Sequence, residues 1–246
     1  MKLAGKTDIG SQRAENQDNY RAFRFPDDTV WAAVCDGMGG AAAGKLASQI
    51  AIDRVEECLS KTLPQLAQGQ ERLLLLKTVS AANRSIYKES LSDPFKKGMG
   101  TTLVCALVRD RTAHIVHVGD SRAYLYRNGT LKQLTRDHSM VQQLVERGQI
   151  TRQQADHHPR KNLITRALGI EPEVEADYTP VSVRQGDILL LCSDGLSGSL
   201  TSEQMAEVIA RVPFFAAPRK LIEQALRAGS QDNITALMIG VEPTEE

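Results

Sequence analysis

Tyr124-Leu125-Tyr126-Arg127-Asn128-Gly129-Thr130-Leu131-Lys132-Gln133-Leu134 is the stretch on which the fold turns. Two short segments flank an Asn-Gly pair, and Asn-Gly suits the left-handed backbone positions of a tight type I′ turn. The stretch is expected to be a hairpin, which makes that part of the sheet antiparallel. Outward from it, Val30 to Cys35, Leu103 to Val108, Ile115 to Val118 and Ile188 to Cys192 are short apolar runs bounded by Asp, Gly or charged residues. Such runs are strand signals, and several lack in/out alternation, so both faces of the sheet are expected to be covered.

Helical patterns come in pairs. Ala47, Ile50, Ala51, Val55, Cys58 and Leu59 recur at helical spacing, followed by Leu75, Val79, Ala82 and Ile86. A second pair, Ser202 to Arg211 and Phe215 to Ala228, precedes a last strand from Asn233 to Val241. Strict alternation of strand and helix would imply a doubly wound parallel sheet. Paired helices with antiparallel hairpins instead imply sheet packed on sheet with helices outside, a layered α+β sandwich. No repeat and no Pro/Gly/Ser-rich linker divides the chain, so residues 1–246 are expected to form one domain. Arg136 to Leu168 differs in character: it is polar and short-helical, with six Lys/Arg against three Asp/Glu, and reads as a surface subdomain.

Composition narrows the function. The chain has 246 residues, 30 Lys+Arg and 30 Asp+Glu, so its formal net charge is zero. That balance argues against a nucleic-acid binder held by phosphate contacts. No stretch approaches the ~18 to 20 apolar residues of a membrane span, and Met1 to Ile9 lacks the apolar core of a secretory signal. A cytoplasmic location, away from membranes, is the expectation. Cys35, Cys58, Cys105 and Cys192 are widely spaced within apolar segments and read as buried thiols. His114 and His117 should lie on opposite faces of a strand, and His157 and His158 read as solvated loop residues. Any metal ligands should therefore be oxygens.

Two chemical readings compete. Gly39-Gly40-Ala41-Ala42-Ala43-Gly44-Lys45 matches a phosphate-cradling loop, and Ile188 to Asp194 resembles the strand that ends in a magnesium-binding Asp. Against a nucleotidase, Leu46 stands where a Mg²⁺-ligating hydroxyl belongs, and an antiparallel sheet is wrong for that fold. The second reading starts from aspartates at strand ends: Asp36, Asp120, Asp194 and, before the last strand, Asp232. Carboxylates gathered at one end of a sandwich resist burial unless cations neutralise them, and oxygen-only ligands favour Mg²⁺ or Mn²⁺ over zinc.

Motif order then becomes specific. Thr7-Asp8-Ile9-Gly10, Arg13, Asn16-Gln17-Asp18, Cys35-Asp36-Gly37-Met38-Gly39-Gly40, Gly100-Thr101-Thr102, Val118-Gly119-Asp120-Ser121-Arg122, Leu134 to Ser139, Ser193-Asp194-Gly195 and Asp232-Asn233-Ile234-Thr235 follow one another along the chain. The series resembles the bacterial metal-dependent Ser/Thr protein phosphatases of type 2C, from about Lys6 to Gly240. The resemblance implies a four-layer αββα sandwich, two antiparallel sheets flanked by pairs of antiparallel helices, with a flap over about 135–168. It implies two Mn²⁺ or Mg²⁺ ions per active site and a third, weaker position. Asp36 would bridge the two ions, the Gly37 carbonyl would join one of them, and Asp194 and Asp232 would hold the other. Asp18 would act directly or through water, and Asp120 with Asp194 would form the third position. Arg13 would grip the substrate phosphate, which a guanidinium fork suits better than an ammonium. Asn233 and His138 would support the site.

The implied reaction is direct attack on phosphoserine or phosphothreonine by a water shared between ions ~3.5 to 4 Å apart, with no phosphoenzyme. Three positions depart from relatives. Gln17 stands where eukaryotic members carry a metal-binding Glu, and Met38 and Ala41 stand where a proton-donating His is found in eukaryotic and many bacterial members respectively. The leaving-group acid is thus unassigned, with His138 a candidate beside a metal-bound water. The implied partners are phosphorylated proteins, a cognate Ser/Thr kinase and its substrates, and the expected state is a monomer. The basic flap residues Arg136, Arg147, Arg152, Arg160, Lys161 and Arg166 would attract phosphorylated segments or form a solvated face. A binding-only pseudophosphatase is the rival within the family, and the intact Asp18, Asp36, Asp194 and Asp232 argue against it.

Overall fold

Successive side chains of the central strands enter two different apolar layers. Val30, Ala32 and Val34 point into one, whereas Trp31, Ala33 and Cys35 point into another. This is why the run from Val30 shows no alternation of apolar and polar residues.

A computed structural model describes residues 1–156 and 158–242. The chain begins with β1 (Lys2–Asp8), β2 (Asp18–Arg24) and β3 (Val30–Met38), then α1 (Ala41–Thr62) and α2 (Glu71–Ser90). Next come β4 (Gly100–Thr101), β5 (Leu103–Arg109), β6 (Thr112–Val118), β7 (Arg122–Arg127) and β8 (Thr130–Gln133). Two short helices, α3 (Met140–Glu146) and α4 (Arg152–Asp156), lead to β9 (Asp177–Ser182) and β10 (Ile188–Cys192). The last third holds α5 (Asp194–Ser197), α6 (Ser202–Arg211), α7 (Ala217–Arg227) and β11 (Ile234–Gly240).

The strands form two antiparallel sheets, β1-β11-β10-β7-β8 and β2-β3-β5-β6-β9, with β4 paired to β3. Between the sheets, Val104, Ala106 and Ile115 meet Leu125, Leu189, Leu191, Leu237 and Ile239. Outside one sheet, Ala47, Ala51, Val55 and Leu59 of α1 and Leu75, Val79, Ala82 and Ile86 of α2 cover Trp31, Cys105 and Leu107. Outside the other, Met205 and Ile209 of α6 and Leu221 and Ala225 of α7 cover Leu190, Ala236 and Met238. The expected αββα sandwich is thus observed, with three apolar layers interleaved with four of secondary structure.

The hairpin turns as its sequence requires, with φ of 52° at Asn128 and 80° at Gly129. Ile188–Cys192 and Ser202–Arg211 have the expected bounds. β1, β2 and β9 carried no strand signal, because each lies at a sheet edge with mostly half-exposed side chains. The segment 135–168 leaves the β7–β8 hairpin and holds α3 and α4, as its polar, short-helical pattern implied. The bridge Ser139–Ile164 closes the segment on itself, and the bridge Thr101–Leu168 returns it to the body.

Candidate metal centre

Antiparallel pairing sets Asp18, at the start of β2, directly opposite Asp36, near the end of β3. The β6–β7 turn carries Asp120 to the same end, α5 starts at Asp194 just beyond β10, and Asp232 lies just before β11. Asp18 ties the two sheets together there: its Oδ2 accepts from Ser193 Oγ and Thr235 Oγ1, both at 2.7 Å. Thr7 Oγ1 lies 2.8 Å from Thr235 Oγ1 and accepts from Asn16 Nδ2. The Asp36 backbone is pinned by Thr102, whose Oγ1 accepts from Asp36 N–H and pairs with Ser121 Oγ, while Thr101 Oγ1 donates to the Asp36 carbonyl.

The electrostatics of this group are unfavourable by themselves. Burial, followed by its aspartate neighbours, pushes Asp36 well above the usual carboxylate range. Burial raises Asp18 to about 7 despite its two hydroxyl donors, and raises Asp120 to about 8 with help from Asp194 and Asp137. Asp194 is raised by burial and by Asp232. Asp18 Oδ1 and Asp194 Oδ1 are buried with no hydrogen-bond partner. Orphaned buried carboxylate oxygens are costly, and divalent cations satisfy both their lone pairs and their charge. The donors are carboxylates, so the set fits Mg²⁺ or Mn²⁺.

Arg13 reaches this group from the loop between β1 and β2. Its Nη2 donates to Asp232 Oδ2 at 2.7 Å, a bond that raises the guanidinium pKa further. The side chain remains about half exposed, so its other donors face solvent. Asn233 holds that loop: its Oδ1 accepts from Gln17 N–H, and its Nδ2 donates to the carbonyls of Ile9 and Glu15. These bonds tie the residue after Asp232 to the loop that carries Arg13.

Gly44 serves packing rather than phosphate binding. A Cβ on Gly37 would lie 2.1 Å from the Gly44 carbonyl oxygen, and a Cβ on Gly44 would lie 2.8 Å from the Gly37 carbonyl carbon. The two glycines let α1 sit against the end of β3 beside Asp36. Lys45 pairs with Glu15 at 2.9 Å. With both sheets antiparallel, the nucleotide-loop reading of Gly39 to Lys45 does not hold.

His138 packs against the turn that carries Asp120. Gly119 N–H donates to its Nδ1, its ring stacks on His117 at 4.7 Å, and its Nε2 faces Asp177 Oδ1 at 3.3 Å. His117, His138 and Asp177 offer ligand atoms within 4.8 Å of one another. Arg166, however, is 3.0 Å from Asp177 and 3.3 Å from His138 Nε2, and so supplies a cation. His117 Nε2 donates to the Arg136 carbonyl, and burial lowers the pKa of both histidines. This group fastens the base of the flap, beside Arg122, which makes three hydrogen bonds to Asp137.

Cys35, Cys105 and Cys192 are buried thiols, whereas Cys58 is only partly covered. His114 faces Tyr178 and His117 faces His138, on opposite sides of β6 as expected. His158 is half-buried, and its expected partner in the loop, His157, lies outside the described residues. Ser193 and Ser121 adjoin Asp194 and Asp120 in sequence, whereas Thr235 and Thr102 adjoin no aspartate and gave no local signal for their bonds to Asp18 and Asp36.

The amino-acid sequence matches the family model described as Protein phosphatase 2C over residues 5–232. The chain belongs to the protein phosphatase 2C family. It is 38% identical over 242 residues to the serine/threonine phosphatase stp of Listeria monocytogenes, covering 98% of this chain and 96% of that one. The crystal structure of the Mycobacterium tuberculosis serine/threonine phosphatase PstP/Ppp superposes with a TM-score of 0.88 at 39% identity, over 98% of this chain and 99% of that one. A structure of the PstP catalytic domain in complex with two manganese ions has a TM-score of 0.86 at 38% identity, over 98% of each chain. For this 2C-family chain, the carboxylate cluster and the manganese-bound relative point to one kind of cofactor.

Proposed function

We propose that this chain is a Mn²⁺/Mg²⁺-dependent phosphoprotein phosphatase that hydrolyses phosphoserine and phosphothreonine. The observation that carries the reading is the convergence of Asp18, Asp36, Asp120, Asp194 and Asp232, with orphaned oxygens on Asp18 and Asp194, beside a half-exposed Arg13. Asp36, the Gly37 carbonyl, Asp194 and Asp232 would hold two ions, with Asp36 shared between them. Asp18 would act directly or through water, and Asp120 with Asp194 would hold a third, weaker one. When bound, the ions supply Lewis acidity toward phosphate and water and offset the charge of the aspartates.

This chain's own residues supply the rest. Arg13 binds the phosphate with the guanidinium nitrogens that Asp232 leaves free, and Asn233 fixes the loop that aims it. Hydrolysis joins a water oxygen to phosphorus, breaks the bond to the serine or threonine oxygen and returns a proton to that oxygen. His138 is held between Gly119 and Asp177, which supports a structural role over proton donation. Residues 1–246 act as one domain with a flap over about 135–168. On that flap, Arg147, Arg152, Arg160 and Lys161 make no ion pair with a described residue, leaving their charge to attract phosphorylated segments.

The partners assigned are phosphorylated proteins, with a cognate Ser/Thr kinase acting in the opposite direction on the same substrates, in the cytoplasm and on a monomeric enzyme. No helix among the described residues is long and apolar enough to cross a membrane. The test is hydrolysis of p-nitrophenyl phosphate and of phosphoserine, phosphothreonine and phosphotyrosine peptides under metal titration. EDTA abolishes turnover, Mn²⁺ restores it, and Asp36→Asn removes nearly all of it at unchanged folding. Activity indifferent to EDTA would overturn the assignment.

A further inference from the structure

The chemistry above uses one end of the sandwich and leaves the outer face of α1 and α2 without a role. Between these helices runs a groove of about 980 Å³, near the upper end of the ~300 to 1,000 Å³ typical of ligand clefts. Five cations line it, Arg54 and Lys61 from α1 and Lys77, Arg84 and Lys88 from α2, against one carboxylate, Glu57. In a chain with zero net charge, this is a local concentration of one sign.

The two sides of the groove differ in how that charge is balanced. Glu57 takes both Arg54 and Lys61, at 2.5 and 2.7 Å. On the opposite outer layer Arg211 pairs with Glu207, and Arg219 and Lys220 with Glu223, in the same way. Lys77, Arg84 and Lys88 have no carboxylate three or four residues away and form no ion pair with a described residue. Arg84 donates only to the Ser80 hydroxyl. Spacings of seven and four residues put the three on one stripe, about 16 Å long, on which Arg84 and Lys88 repel each other. Between the rims, Thr78, Ala81, Ser85 and Cys58 are small, so the long cationic side chains flank a depression.

We propose that this groove docks an acidic segment of a phosphoprotein substrate, laid extended along Lys77, Arg84 and Lys88. At about 3.3 Å per residue, the stripe matches roughly five residues of extended chain. The groove carries no aromatic residue, which disfavours a membrane interface, and the chain lacks the net positive charge of a nucleic-acid binder. Orientation also fits: after α2 the chain reaches Met99, whose Cα packs where a Cβ of Gly39 would lie, so the Lys88 end of the stripe faces the carboxylate end of the sandwich. A docked segment there raises the local concentration of a tethered phosphoresidue.

The proposal rests on the phosphatase reading, so its test separates the two. The full chain with Mn²⁺ is assayed on three phosphothreonine peptides of common core. One carries a five-Glu tail on a flexible linker before the core, one carries it after, and one carries a five-Gln tail. At least one Glu tail is expected to lower KM about fivefold relative to the Gln tail. Lys77→Gln/Arg84→Gln/Lys88→Gln removes that difference and leaves p-nitrophenyl phosphate hydrolysis within twofold. Fluorescence anisotropy of the labelled Glu tail alone follows binding independently of turnover, so loss of all phosphatase activity sinks the enzymatic reading while leaving the groove testable. No preference for either Glu tail, a preference retained by the triple variant, or binding of duplex DNA or phosphatidylglycerol vesicles without binding of the Glu tail overturns the proposal.

Discussion

Gly44 shows how one atom sets the geometry of the centre. A methyl group there would meet Gln17 Oε1 at 2.6 Å and the Gly37 carbonyl carbon at 2.8 Å, so α1 and the end of β3 would have to separate. Overpacking of this kind costs about 1 to 3 kcal/mol. Gly44→Ala is expected to lose that much in urea unfolding and, because Gly37 and Asp36 shift, to need severalfold more Mn²⁺ for half-maximal activity. The variant also bears on legibility. Asp36, Asp194 and Asp232 could be found in the sequence because each stands where an apolar strand meets a turn. Gly44 suggested a phosphate loop because spacing alone cannot distinguish a glycine that admits a ligand from one that admits a helix. Asn233 stands in a motif beside Asp232, but its three partners lie 216 to 224 residues away and have no local signature.

At the scale of elements, the flap is fastened at its base and bare toward its tip. Arg122 on β7 holds Asp137 through three hydrogen bonds, and Arg166 bridges to Asp177 on β9. Losing one member of a largely buried pair leaves the other charge uncompensated, at a cost of roughly 3 kcal/mol. Arg122→Ala is therefore expected to raise proteolytic cleavage between α3 and α4 and to raise KM for phosphopeptides. Thr201→Ala is the control: it breaks a capping box on α6, outside the flap, and should cost about 1 kcal/mol with no change in KM. The hairpin and buried strands were legible because burial on both faces demands unbroken apolar runs. The edge strands β1, β2 and β9 were not, since β-pairing at an edge depends on partners distant in sequence and leaves one side free for residues such as Lys6, Arg21 and Pro180.

Across the whole molecule, zero net charge conceals a strong internal separation: aspartates meet at one end of the sandwich while unpaired bases line α2 and the flap. The carboxylate end sets a linkage between pH, metal and stability. Asp18 and Asp120, held at about 7 and 8 when folded, would ionise near 3.8 in the unfolded chain. Between those values the folded form binds more protons than the unfolded form, so stability from this group is greatest in acid and is lost as pH rises from about 4 to 8. Divalent ions reverse the cost, because they bind the ionised folded cluster and so stabilise it by mass action. The metal-free protein is therefore expected to show a Mn²⁺-induced rise in Tm that is small at pH 5.5 and several degrees larger at pH 8. Asp18→Asn keeps an acceptor for Ser193 and Thr235 but removes a buried charge. It should raise the Tm of the metal-free protein at pH 8 and shrink the Mn²⁺ response. A Mn²⁺ shift independent of pH would mean that the aspartates are already neutralised without metal, and that the cluster is held together by something other than the ions.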